Sequence, residues 1–336
     1  MTEHELTAPV DLCNGNGQLN PDARGWSRVP LHRANLGSAW GRRKSWDYWC
    51  ILSNDICAAI TYANVDYVGI ASLWVLDRTT NTAIETAKTV PFARGFALGE
   101  FANRSAMHFE SGGLTIAITE HLHSTRIQAS SHEHDLWLDV EVDRPTDHES
   151  LNVVIAWSSR RFQFTSKQNL LPVKGSLRWG SRHVGLGGPS PSWGVLDLGR
   201  GKWRYSNRWN WASACGYTSE AVPIGLQLGG KWTTGTGYTE NGICVDGVIH
   251  KLSDELIWNY DWERPSERWR VRSPDDRLNV ELVPTYDRYS CTNLGILKMQ
   301  VHQVFGDWSG TFVDDTGHTH QFSGITGFAE EARNRW

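Results

Sequence analysis

The sequence predicts an all-β protein built as two antiparallel β-barrel or sandwich units in tandem, with a short C-terminal helix. Three observations predict it. The 336 residues include 18 tryptophans and 32 glycines beside three methionines, a balance that favours strands joined by tight turns over a helical bundle. Apolar residues recur with period two in short runs, separated by turn-rich pieces such as SGG, GYTENG and SPDD. Finally, the two halves carry a similar succession of motifs.

Residues 1–25 read as an N-terminal extension, 26–180 as a first β unit, the Gly, Pro and Ser-rich stretch 181–194 as a linker, and 195–336 as a second unit. LTIAITE, LWLDVEVD, LNVVIAW and RFQFTSK mark strands of the first unit; GICVDGVIHKL, LNVELVP and LKMQVHQVF mark strands of the second. In LWLDVEVD, Leu136, Leu138, Val140 and Val142 face one way while Trp137, Asp139, Glu141 and Asp143 face the other. Asp246 and Gly247 read as a hairpin turn. The best helical candidate is the terminal FAEEARNRW. The repeat pairs GRRKSWDYWC (41–50) and LWVLDRTTNTAIET (73–86) with GRGKWRYSNRWNW (199–211) and NGICVDGVIHKLSD (241–254). In each half a basic, glycine-containing lead and a tryptophan cluster precede a strand that ends in an aspartate turn.

Charge and composition narrow the function classes. A formal net charge of −4, from 33 basic and 37 acidic residues, supplies no global field to recruit nucleic acid or an acidic membrane. MTEHELTAPVDL lacks a basic lead followed by an apolar run, and no uncharged apolar stretch reaches about 18 residues. A soluble cytoplasmic protein without a membrane span is expected. The six cysteines form no close-spaced framework, which fits reduced, mostly buried thiols. GxSxG, GxxxxGK[ST], HExxH and GxGxxG followed by helix are all absent.

The motifs GRGKWRYSNRWNWASACG, GYTENGICVDG, VHQVFGDWSGTF and GFAEEARNRW, with SWDYWCI, NVDYVGIASLWVLDR and AWSSRRFQFTSKQNLLPVKG in the first half, closely resemble the bacterial domain-of-unknown-function family 2804. The resemblance covers the chain from about Trp26 to the end. The Gly201-Lys202-Trp203 step looks like the GxW start of lipocalin-like barrels, and the architecture is similar to that of the two-barrel carotenoid hydratase and Diels-Alderase group. The resemblance thus implies two lipocalin-like units and a small apolar ligand, with no catalytic residue transferable by position.

The residues themselves offer several candidates. If GRGKWRYSNRWNWAS (199–213) is extended, Trp203, Tyr205, Trp209 and Trp211 form a wall of rings on one face, with Lys202, Arg204 and Arg208 on the other. Trp46 and Tyr48 occupy the corresponding place in the first half. Such a wall closes a core, lines a ligand pocket, or stacks on sugars. In RFQFTSKQN, Arg161, Gln163, Thr165 and Lys167 share a polar face, solvated if it points outward; if it lines a cavity, Gln163 and Lys167 can bind ligand or move a proton. His302 and Gln303 end an apolar strand, where a histidine can transfer a proton or simply hold a carbonyl. Glu330 and Glu331 stand near Phe328 and Trp336, where a carboxyl against indole suits a general acid. Asp66, beside Tyr67, is the comparable acid of the first half, and Asn241 lies in the lead of a strand. His121/His123, His132/His134 and His318/His320 are HxH pairs that a strand would place on one face; neither a metal site nor a cofactor is expected from them.

Three functions follow. The first is a hydratase, isomerase or cyclase for a bulky apolar metabolite of terpenoid or polyketide type, with His302, Glu330 or Asp66 as the acid. The alternatives are a non-catalytic binder of lipid-like ligands and a carbohydrate-binding or processing protein. In all three the partner is a small molecule. Against them stands a purely structural use, in which the rings fill a core.

Overall fold

The computed structural model describes residues 3–37, 40–104, 106–293 and 298–335. Contacts divide the chain into a first unit, Leu6–Trp203, and a second, Arg204–Trp336 with Met1–Glu5. The first unit holds β1 (Val10–Asp11), β2 (Trp26–Ser27), β3 (His32–Arg33), β4 (Arg43–Leu52), β5 (Ile56–Asn64), β6 (Val68–Asp77), β7 (Thr82–Pro91), β8 (Met107–Ser111), β9 (Leu114–Glu120), β10 (Ser124–Ser131), β11 (Leu136–Asp143), β12 (Leu151–Ser158), β13 (Arg161–Trp179), β14 (Arg182–Leu186) and β15 (Trp193–Lys202). The second holds β16 (Ser206–Tyr217), β17 (Pro223–Gly230), β18 (Asn241–Val245), β19 (Val248–Leu252), β20 (Ile257–Asn259), β21 (Trp269–Arg272), β22 (Leu278–Asn293), β23 (Lys298–Val313) and β24 (Thr319–Arg335). Among the described residues the only helical element is a 3-10 turn, Pro21–Ala23, and no helix is long and apolar enough to cross a membrane.

The all-β, two-unit expectation holds, and the repeat surfaces as topology. The main sheet of the first unit runs β7-β6-β5-β4-β15-β13-β11-β10-β9-β8, and the sheet of the second runs β19-β18-β17-β16-β24-β23-β22-β21-β20. Each unit contains a four-strand meander, β4 to β7 in the first and β16 to β19 in the second, whose first strand also pairs with the unit's last strand. SWDYW lies in the opening strand of one meander and NRWNW in that of the other; the paired later motifs lie on β6 and β7 and on β18 and β19. The first sheet curls until Thr86 Oγ1 on β7 meets Ser131 Oγ on β10 at 2.6 Å. The apolar face of β11 packs inward as its alternation predicts, with Leu136, Leu138, Val140 and Val142 all in the core. Asp246 (φ 48°) and Gly247 (φ 85°) make the predicted hairpin turn, their left-handed backbone matching the twist of the flanking strands.

Three expectations change. FAEEARNRW is not a helix but the end of β24, hydrogen-bonded on one side to β16 and on the other to β23. Its Ala, Glu and Arg content favours helix locally, and pairing along both edges overrides that propensity. Stretch 199–213 is not one strand: it breaks between Lys202 and Ser206, so Trp203 belongs to the first unit and Trp209 and Trp211 to the second. The contact division falls at this break, after Trp203, and not at the Gly, Pro and Ser-rich stretch 181–194 expected as a linker. Residues of that Gly and Pro-rich stretch form β14 and the start of β15, which pair with β13.

A β-bulge in β22 sets up the site. Leu278, Val280 and Leu282 face the core of the second unit, and an extra residue between Pro284 and Tyr286 shifts the register against β23. Side chains alternate, so the slip exchanges faces and turns Asp287 and Tyr289 inward. Gly306 lies opposite Pro284, and a Cβ there would come within 2.1 Å of the Val283 carbonyl oxygen. Gly306→Ala is therefore expected to cost about 2 kcal/mol by overpacking against backbone; an urea midpoint equal to that of the parent protein would contradict this account of the bulge.

Candidate functional site

Cross-strand register arranges the inner face of the second sheet in rows. The deepest is apolar except for one acid: Ala212, Ala329, Val304 and Asp287 are successive neighbours on β16, β24, β23 and β22. One row outward stand Asn210, Glu331, His302 and Tyr289. The next contains Arg208, Arg333 and Gln300, and the outermost Ser206, Arg335 and Lys298. Each row lies about 7 Å from the next, two residues along a strand. The two outer rows line a cleft of about 490 Å³. Polarity and positive charge thus rise from core to rim.

Glu331 is the hub of the cluster and is fully buried. Its Oε1 accepts from Arg208 Nε and, at 2.6 Å, from Arg333 Nε. Its Oε2 accepts from Lys231 Nζ at 2.9 Å and from the Tyr260 hydroxyl. The Tyr260 oxygen in turn accepts from Lys231 Nζ and from Asn210 Nδ2, the latter at 2.8 Å. Tyr260 is fixed from behind by stacking on Trp269, with centroids 3.8 Å apart. Lys231 holds a left-handed backbone, φ 68°, which a side chain adopts at a cost and which occurs at sites that need a particular aim. Burial alone would raise the Glu331 pKa; the hydrogen bonds, Arg208 first, outweigh it and hold the carboxyl down at about 2. Burial, then the bond to Glu331, pushes the Tyr260 phenol up. Burial lowers Lys231 against the pull of Glu331. Glu331 is thus a permanent anion, an organiser of cations and not a general acid.

His302 is the group in this row equipped to move a proton. Its Nδ1 lies 2.8 Å from Asp287 Oδ2. A carboxylate only accepts, so Nδ1 carries the hydrogen and Nε2 presents a lone pair; among the described residues Nε2 has no hydrogen-bond partner. The imidazole is flanked by Trp262, in a T-shaped contact with ring centroids 4.4 Å apart, and by the Tyr289 ring, with centroids 4.6 Å apart. Arg333 continues the assembly, its guanidinium 3.7 Å over the Trp262 ring. Asp287, next to Val304 in the apolar row, has its pKa raised by burial against the opposing bond from His302.

The other expected residues lie elsewhere. Glu330 is adjacent to Glu331 in sequence and so points to the opposite face of the sheet, where it accepts from Trp209 Nε1 at 2.7 Å and Gln303 Nε2 at 3.1 Å. It therefore does not converge with His302. Trp211 shares that outer face and donates to Gln227 at 3.0 Å. Asn241 is fully buried and engages backbone, accepting from Gly229 N and donating to the Asp254 carbonyl. Tyr205 is 44% exposed in the connection before β16. Trp336 lies outside the described residues.

In the first unit, Gln163, Thr165 and Lys167 do share the face opposite Phe162 and Phe164, which enter the core. That polar face is buried, neither solvated nor an apolar cavity wall: Gln163 is 0% and Lys167 6% exposed. Lys167 pairs with Asp197 at 2.9 Å. Asp197 also accepts from Thr165 and Trp46 and is the cross-strand neighbour of Tyr48. Gln163 accepts from Trp203 Nε1 at 2.6 Å. Asp66, in the β5–β6 turn, takes the backbone N and the Nε of Arg43, both at 2.9 Å. These groups bond to one another and to backbone. Of the HxH pairs, His318 and His320 are 4.6 Å apart by ring centroids, and His320 bonds Asp314 at 2.9 Å. Five of the cysteines are buried and Cys291 is exposed.

The residues the sequence reading missed are Glu331 in its organising role, Arg208 and Arg333 as its partners, Lys231, Tyr260, Trp262 and Asp287. Strand alternation could have separated Glu331 from Glu330 once β24 was read as a strand. Asp287 depends on the bulge, and Lys231, Tyr260 and Trp262 arrive from connections far away in sequence, so alternation carries no signal for them.

Because the pKa of Glu331 is depressed in the folded state, its contribution to stability is complete above its unfolded value of about 4.5 and is lost as pH falls toward about 2. Glu331→Gln should remove that acid limb from the stability profile. At neutral pH it should cost about 3 kcal/mol, because three cations lose their buried counter-ion. Parallel pH profiles for the two proteins would rule this out.

Solved structures share the architecture. Kievitone hydratase from Nectria haematococca superposes with a TM-score of 0.52 at 12% identity, over 88% of this chain and 89% of its own. A Nitrosomonas europaea protein assigned as an AttH superposes with a TM-score of 0.51 at 12% identity, over 97% of this chain and 98% of its own. At such identities the likeness concerns fold alone. No curated protein matches the chain significantly in sequence. The family is nonetheless shown: residues 3–336 match it almost from end to end, and the chain belongs to DUF2804, a domain of unknown function.

Proposed function

We propose that the second unit binds a small molecule at the rim of its curled sheet and moves a proton on it, acting as a hydratase, isomerase or cyclase on a bulky metabolite of terpenoid or polyketide type. The observation that carries this reading is the His302–Asp287 pair, 2.8 Å apart, one row inside a cleft and flanked by Trp262 and Tyr289. Asp287 orients the imidazole and stabilises its protonated form. Nε2 takes a proton from a carbon acid, or returns one to an unsaturated carbon.

The surrounding charge favours one route over another. A carbocation would meet Arg208, Lys231 and Arg333, three cations sharing a single carboxylate. An enolate oxygen would be stabilised by them. In the water-adding direction, water attacks the β-carbon of an enone while His302 Nε2 takes the proton it loses, the enolate forms beside the cations, and the imidazolium so formed protonates the α-carbon to complete the alcohol. The imidazole is neutral again, so the dyad ends as it began. That one structural neighbour is named a hydratase agrees with this chemistry. The first unit's candidates, Asp66 and Lys167, are held in the ion pairs already described and act as supports.

The test is exchange in D2O with a panel of α,β-unsaturated ketones of terpenoid and polyketide type, read as deuterium at the α-carbon by mass spectrometry. His302→Gln should lower the rate by about 100-fold or more, the usual worth of a general acid-base. Asp287→Asn should lower kcat more than KM and shift the pH profile. Glu330→Gln and Asp66→Asn should stay within a few-fold of the parent. An unchanged rate in His302→Gln overturns the assignment, and tight binding without any exchange means a carrier.

A further inference from the structure

We infer that the ligand of this site carries a permanent oxyanion head group, a carboxylate or a phosphate monoester, held by the two outermost rows of the inner sheet face. The inference rests on the small-molecule reading above and names the class of molecule more narrowly.

Register is the first argument. Arg208 and Arg333 are direct cross-strand partners, and so are Lys298 and Arg335 one row further out. Like charges directly opposite one another destabilise a sheet, and here two such pairs follow in succession. Glu331 offsets the inner pair. Among the described residues Lys298 and Arg335 have no ion-pair partner, and no acid lines the cleft that these four cations share. A sheet that sets like charges side by side twice, facing a cleft of about 490 Å³, gains from an anion placed between them.

Orientation is the second. Arg208 and Arg333 both reach Glu331 through Nε. That bond fixes each guanidinium plane, and within the described residues neither Nη1 nor Nη2 of either arginine donates a hydrogen bond. Two guanidinium ends, aimed by one buried carboxylate, match the two or more oxygens of an oxyanion. The Arg333 guanidinium carbon also lies 3.7 Å from the centre of the Trp262 ring, and Trp262 and His302 meet at an interplanar angle of 82°. A head group on the arginines would leave the body of the ligand against these rings. His302 stands about 7 Å below Gln300 of the arginine row, two residues along β23, so the reacting carbon would lie several bonds from the charged head.

The experiment uses the full chain and three probes with the same aromatic body: naphthoate, naphthyl phosphate and the neutral naphthamide, titrated by isothermal calorimetry at low and high salt. At low salt at least one of the two anions should bind about tenfold or more tightly than the amide, and salt should weaken the anion alone. Whichever anion binds more tightly identifies the head group. The double variant Lys298→Gln/Arg335→Gln removes exposed cations that have no described ion pair, and should erase most of the preference while leaving amide affinity unchanged. Arg208→Lys, which keeps the charge and loses the fork, should weaken the anion and not the amide. Equal affinity for amide and anions, or a preference that survives the double variant, overturns the inference and leaves the pocket reading standing. Binding of none of the three overturns both.

Discussion

The second unit is organised around one buried carboxylate. Glu331 has no contact with solvent, yet binds Arg208, Lys231, Arg333 and the Tyr260 hydroxyl at once. Such a group is costly to bury unless every lone pair is met by a donor, and here the donors are mostly cations. The arrangement also ties elements together. It joins β24 to β16 and to the connections before β18 and after β20, where Lys231 and Tyr260 reside. Cations that would repel one another are held within a few ångströms because a single anion lies between them.

Neighbouring residues of one strand do opposite work. Glu330 turns to the outer face and accepts from the indole of Trp209 and the amide of Gln303; Glu331 turns inward to its cations. A strand buried along both edges and on both faces allows this, whereas a terminal helix would have left both acids in water. On β22 the extra residue after Pro284 has a comparable effect, exchanging which side chains face the core and bringing Asp287 against His302. The His302–Asp287 pair thus depends on a local irregularity, while the charge cluster depends on regular pairing.

The first unit shares the topology and uses its polar groups differently. Lys167, Asp197, Thr165 and Trp46 bond to one another across three strands, and Asp47 meets Arg200 at 2.7 Å inside the sheet. Arg200 also donates to the carbonyls of Gly99, Trp46 and Gly199. Tyr62 and Asn64 donate to the carbonyls of Gly95 and Phe96, so the segment after β7 is pinned by side chains of the sheet. These networks tie the strands of the first unit to one another and to its connections.

The sequence by itself determined the all-β class, the period-two strands such as β11, the Asp246-Gly247 turn and the duplicated plan, because each is written in neighbours or in alternation along a few residues. His302 and Gln303 stood out as polar groups at the end of a strand, whereas the carboxylate that Arg208 meets was not assigned to it by the sequence. Only the tertiary structure decided that FAEEARNRW is a strand, that Glu331 and not Glu330 faces the arginines, and that Asp287 reaches His302. The physical reason is common to all three. Strand pairing along both edges overrode a local helical propensity, and register then chose the face on which each side chain falls. Register is set by hydrogen bonds between segments distant in sequence, which alternation within a single segment does not encode.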